Sequence, residues 1–174
     1  MNDTYNFDNH VIKIEPKAMV HVLLAERKDS DETLREIYET LRNVNGCTLE
    51  TGKFVHQAVF RADSIDSANM ALKRFDWYMT PIPKEQLIKA LTPIASILRH
   101  ETTDTEEIKN QKIDITADIL TGYPADLVTI GIRNVSINCL YFPQPVGFLK
   151  TIKQAYTERT FIRKLIIKEI DRLQ

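Results

Sequence analysis

A mainly α fold is what this sequence predicts: a helical bundle of about six to seven helices with a small β-hairpin in its N-terminal half. Three observations predict it. Apolar residues recur at three- and four-residue intervals through most of the chain. Proline, glycine and short polar caps cut those runs into pieces of ordinary helix length. The one hairpin-like stretch, "CTLETGKFVHQAVF", ends by residue 60, and Thr51-Gly52 supplies its turn signal.

The elements follow in order. The first ten residues are polar and read as loose, and Val11 to Ile14 as a short strand. Pro16 suits a first helical position, where its missing N–H is not needed. In "DSDETLREIYETLRNVNG", Asp29 or Ser30 caps a helix. Leu34, Ile37, Tyr38 and Leu41 line it, and Gly46 is placed to end it. Ser64 caps the next helix, and "TPIPKEQ" then stops one helix and seeds another. Leu87, Leu91, Ile94 and Leu98 form an apolar stripe with Pro93 inside it, which predicts a kink. Thr103 or Asp104 caps the following helix, whose Ile108, Lys112, Ile115 and Ile119 share a face before Gly122 closes it. Pro124 opens a helix lined by Leu127, Val128, Gly131, Ile132 and Val135. "SINCLYF" reads as an extended connector, Tyr123, Tyr141 and Phe142 as plugs at the corners, and Pro145 as the restart, with Phe148, Leu149 and Ile152 inward.

The boundary at "TPIPKEQ" predicts two parts. Residues 1–80 form an acidic N-terminal region of helices with a hairpin over 47–60, and residues 81–174 a helical C-terminal domain with a basic tail. The charge is uneven within a net of -1: residues 1–52 carry six Lys/Arg against ten Asp/Glu, and residues 145–174 carry seven against three. A near-neutral total excludes a general electrostatic drive onto nucleic acid or acidic membrane. No apolar run reaches the roughly 20 residues of a membrane span. Cys47 and Cys139 stand far apart without metal or redox spacing, which together with the N-terminal pattern predicts a cytoplasmic protein.

Catalytic motifs are missing from the sequence. His10, His21, His56 and His100 are scattered, and no phosphate loop, nucleophile elbow or zinc helix occurs. Asp104/Glu106/Glu107 read as dipole-complementing acids and Asp114/Asp118 as a solvated face. The expectation is a protein with no catalytic residues, no metal and no cofactor. An enzyme of unrecognised class is the rival that a pocket lined by His56, His100 or Asp114/Asp118 would favour.

The tail carries the binding signal. Wound as one helix, Lys150, Lys153, Lys164, Lys168 and Arg172 fall within an arc of roughly 100°, with Phe161 among them. Cations interleaved with a ring suit single-stranded nucleic acid or another macromolecular partner. Arg159 falls in the middle of the apolar arc, which predicts a break near residues 157–160. The alternative surface is the acidic helix face of Asp31, Glu32, Glu36 and Glu39, which could mimic nucleic-acid charge.

A Leu-x-x-Tyr-Pro corner at Leu120, Tyr123 and Pro124 leads into Asp126, Leu127 and Val128. A Phe-Pro-x-Pro-x-x-x-Leu restart follows at Phe142, Pro143, Pro145 and Leu149, and then Arg159 and Arg163. In this order of features, about residues 84–165 resemble small bacteriophage replication proteins of the replicative-helicase loader or loader/inhibitor type. Val146-Gly147 departs from the Trp or acidic residue common near that restart, and the acidic first half has no counterpart. The resemblance implies a non-catalytic accessory protein of phage or mobile-element DNA replication in the bacterial cytoplasm. Its implied partners are a hexameric helicase and also single-stranded DNA, with homo-oligomers left open. The alternative is a phage-encoded inhibitor or anti-defence protein that sequesters a host protein through the acidic half.

Overall fold

The computed structural model describes residues 4–7, 10–13, 30–52 and 57–174, with side chains from residue 34 onward. The predicted helix start at Pro16, and His21 and His56, lie outside the described residues. The fold is mainly α as the sequence predicts: seven helices and two small antiparallel hairpins among the described residues.

The first hairpin pairs β1 (Thr4–Phe7) with β2 (His10–Lys13), Thr4 opposite Lys13 and Phe7 opposite His10. The segment expected to be loose is therefore paired. Its alternation of Thr, Tyr, Asn and Phe is a strand pattern that a reading by polarity alone passes over. The strand expected at Val11 to Ile14 begins one residue earlier. The second hairpin is the predicted one: β3 (Cys47–Glu50) lies against β4 (Val59–Ala62), with Leu49 opposite Phe60.

Two compact units divide the chain, residues 28–79 with 154–174 and residues 1–27 with 80–153. One change of unit lies between Met79 and Thr80. The tail, residues 154–174, belongs to the unit with residues 28–79. Its stripe of Ile162, Ile166 and Ile170 is buried in the same core as Ile37, Leu41, Phe60 and Phe75, and supplies the apolar wall that two helices and a hairpin lack.

In that unit, α1 (Ser30–Arg42) buries Leu34, Ile37 and Leu41, as its spacing predicts. Gly46 turns the chain into β3 at φ +74°, where a Cβ would meet Ser67 Oγ at 2.8 Å. α2 (Ile65–Trp77) starts at the predicted cap, Ser64 Oγ accepting from Ser67 N–H at 3.2 Å.

The other unit holds α3 (Lys84–Ile97), α4 (Glu106–Leu120), α5 (Ala125–Asn138) and the short α6 (Pro145–Leu149). α3 runs through Pro93 and buries Leu87, Leu91 and Ile94. The two proline corners bind each other: Pro81 bridges Pro124, and Ala125 N–H donates to Thr80 O at 2.8 Å. α4 is capped by Thr105 rather than Thr103 or Asp104. It turns inward the stripe of Ile113, Ala117 and Leu120, leaving Ile108, Ile115 and Ile119 exposed. The helix carries two apolar stripes, and Ala117 at the centre of the buried one lets a neighbour approach. α5 extends to Asn138, so the first three residues of "SINCLYF" are helical and the other four form the connector. Gly131 makes room for α6, since a Cβ there would lie 2.6 Å from Phe148 O. Of the predicted plugs, Phe142 and Tyr123 pack on the core, whereas Tyr141 faces outward.

Candidate partner-binding surfaces

At the end of α3 the chain meets the stretch after α5. Arg99 N–H donates to Leu140 O at 3.0 Å, and Phe142 N–H donates to Arg99 O at 2.9 Å, forming a parallel bridge. The bridge holds Phe142 inward, stacked on His100 with ring centroids 5.6 Å apart and edge-on to Phe148. It also forces its neighbours outward. Ile97 is 68 % exposed, Ile137 63 %, Leu140 60 % and Tyr141 53 %. All four lie within three residues of the bridge. The Pro143 and Pro145 corners sit beside them and line a small groove with Lys112 and Ile115.

His100 marks the edge of a cleft of about 590 Å³, shared with Thr92, Ser96, Glu101, Lys109 and Asn110. Its Nδ1 is buried and has no hydrogen-bond partner among the described residues. His100 Nε2 lies 2.7 Å from Ala95 O and Nδ1 lies 3.6 Å from Asp104 Oδ2. Lys112 Nζ holds that same carboxylate at 2.5 Å, and its hydrogen bond keeps Asp104 below the usual carboxylate range. The Nε2 contact ties the ring to the turn after α3. Asp114 and Asp118 sit exposed, each 3.2 Å from Lys84 Nζ. Among the described residues no three His, Cys, Asp or Glu gather as metal ligands.

The tail is one continuous helix, α7 (Lys153–Leu173), without the expected break. The reason is Arg159. It is 1 % exposed, and its Nη1–H donates to Tyr78 O at 3.0 Å, so the charge is held inside the apolar face instead of disrupting it. Arg163 grips Asp76 with two hydrogen bonds, at 2.7 and 3.3 Å, which holds the guanidinium above its ordinary pKa. Of the predicted binding set, Lys164 and Lys168 are exposed one turn apart. Phe161 is half-buried and packs on the core. Lys150 lies before α7, in the turn after α6, and Lys153 is its exposed first residue.

Arg172 is engaged. Its guanidinium donates twice to Glu169, each at 2.8 Å, and Glu169 also accepts from Ala62 N–H at 3.0 Å and Arg61 Nη1–H at 3.3 Å. Glu169 is 2 % exposed, and these bonds, Arg172's first, bring its pKa from 4.5 down to about 2 against the opposing effect of burial. Sequence reasoning missed Arg61 and Glu169. The available signal was Glu169 itself, a carboxylate beside the apolar arc three residues before an arginine.

On α1, Glu39 is exposed and Glu36 half-buried, while Asp31 and Glu32 lie in the first turn. Arg35 and Arg42, both exposed, interrupt this acidic face. Among the described residues no helix is long and apolar enough to cross a membrane. No family model, no curated protein and no solved structure matches the chain.

Proposed function

We propose that this chain is a non-catalytic accessory protein of phage or mobile-element DNA replication that docks on a replicative helicase. The docking surface is the apolar corner of the unit containing residues 80–153. One observation carries the reading: Ile97, Ile137, Leu140 and Tyr141 are more than half exposed around the Arg99–Tyr141 bridge. Single exposed apolar residues are ordinary, but several gathered at one corner suit a partner. An exposed tyrosine beside branched aliphatics is also the composition of an interface hot spot. The corner adjoins the Phe-Pro-Gln-Pro segment, one of the motifs that carry the resemblance to helicase loaders. Contact with single-stranded DNA through the tail has weaker support, since Arg159, Arg163 and Arg172 are all engaged within the fold.

The test is direct binding to a purified hexameric bacterial replicative helicase, followed by calorimetry. The full chain should form a complex, and Ile137→Asp with Leu140→Asp should weaken it at least about tenfold. Both positions are exposed, so the double variant should melt within about 0.5 kcal/mol per site of the parent. No complex with the parent, or an equally tight one with the variant, removes the proposal.

A further inference from the structure

β4 has one edge paired to β3 and one edge turned to α7. Asp63 N–H donates to Gly46 O at 2.8 Å, and bonding alternates along an antiparallel ladder. The pairs Thr48–Arg61 and Glu50–Val59 therefore exchange bonds, and the amides of Phe60 and Ala62 face away from β3. Ala62 confirms the direction, since its N–H reaches Glu169 Oε1 at 3.0 Å. The Phe60 N–H points the same way and meets no acceptor among the described residues.

That edge opens into a cleft of about 240 Å³ between β4 and α7, with Ala58 and Leu165 as apolar lining. Arg61, Lys168 and Arg172 face it with Glu169 as the single acid, a net charge of +2. Glu169 already displays the fit of the site: one carboxylate accepting an edge amide between two guanidiniums. The neighbouring position offers the Phe60 edge amide beside Lys168, with the Arg61 guanidinium donating to Phe60 O at 3.4 Å. Lys168 makes no ion pair among the described residues.

We propose that this cleft binds an extended acidic segment of a protein partner, with carboxylates on Lys168 and Arg61 and its main chain on the Phe60 amide. A nucleic-acid strand fits less well. Strands are held by cations together with rings on which bases stack, and the only ring in the lining, Phe60, is buried. The proposal goes beyond helicase docking, because it uses a different unit and a different chemistry.

Isotope-labelled full-length protein titrated with a blocked peptide of alternating valine and glutamate tests it without any helicase present. The amide resonances of Phe60 and Arg61 should shift saturably. Lys168→Glu should weaken binding about tenfold, and Lys164→Glu, outside the cleft lining on the same exposed face, no more than about threefold. The same titration with a short oligothymidylate should leave the two amides unmoved. Saturable shifts with oligothymidylate, no saturation by the peptide, or equal losses from the two lysine substitutions would each overturn the assignment.

Discussion

The unit of residues 28–79 with 154–174 ties buried charges across its elements, whereas the unit of residues 1–27 with 80–153 gathers exposed apolar residues at one corner. In the first, Arg159 and Glu169 are almost wholly buried and tied to backbone groups of other elements. In the second, the largest buried group is the apolar set around Leu91, Ile132 and Phe148, while Ile97, Ile137 and Leu140 lie open. The difference teaches how each unit fixes its helices. A long helix bearing only a stripe of isoleucines can slide by a turn along a smooth wall at little cost. A buried guanidinium that must reach one carbonyl, and a buried carboxylate that must reach one amide, allow a single register. The other unit buries Asp126 at the start of α5 and adds proline corners and a glycine contact, and it leaves apolar surface for other uses.

The largest expected effect follows from Arg159. Arg159→Ala removes a large buried side chain, opens a cavity and leaves the Tyr78 carbonyl without that donor, so it should destabilise by about 3–5 kcal/mol. Arg159→Met keeps most of the volume and removes the charge, and its loss should be less than half as large. Thermal and urea melts of both variants check this. If Met is as damaging as Ala, hydrogen bonding to Tyr78 outweighs side-chain volume at this position. If Ala costs under about 1 kcal/mol, α7 is not anchored at this point and the contrast between the units fails.

Glu169 comes next. Its folded-state pKa lies below its unfolded value of 4.5, so its contribution is fully present above that pH and is lost as the pH falls toward about 2. Glu169→Gln retains shape but replaces charge-assisted bonds to Arg172, Arg61 and Ala62, at a cost of roughly 1.5–3 kcal/mol near neutral pH. The gap between parent and variant should narrow steadily from pH 5 to pH 2 in melts at fixed ionic strength. A gap that does not change with pH would mean that packing, not ionisation, makes Glu169 valuable.

These two residues also mark where sequence reading stops. The helices were legible because their apolar spacing, caps and prolines are local: Leu87, Leu91 and Ile94 needed no knowledge of their neighbours. The β3–β4 hairpin was legible for the same reason. Arg159 was visible as an anomaly in an apolar arc, but the carbonyl that resolves it belongs to a residue 81 positions earlier. Polarity alone therefore suggested a break in the helix. The two stripes of α4 show the same limit, since Ile108, Ile115 and Ile119 are as apolar as Ile113 and Leu120, and only the neighbours decide which set is covered. Of the surfaces, Lys164, Lys168 and the proline corners were recognisable from sequence. The exposure at Ile137 and Leu140, and the part played by Arg61, depend on chain crossings that no local pattern records.

The smallest effect probes the glycine contact between α5 and α6 in the second unit. In an open helix, Gly131→Ala would stabilise by roughly 1 kcal/mol, because alanine loses less backbone freedom on folding. Here the added methyl meets Phe148 O at 2.6 Å, and a backbone atom cannot turn aside as a flexible side chain would. Relief requires α6 to move with Phe148, whose ring is fully buried and sits against Phe142, and overpacking of that kind costs about 1–3 kcal/mol. The two terms nearly offset, and the clash should win by about 1 kcal/mol, seen as a melting temperature lower by roughly 2–4 °C. Gly131→Ser adds the same contact with less helix propensity and should lower it further. A higher melting temperature for Gly131→Ala would show that the Phe-Pro-Gln-Pro restart yields freely. The apolar corner built on it would then be a soft surface shaped by its partner rather than one held ready beforehand.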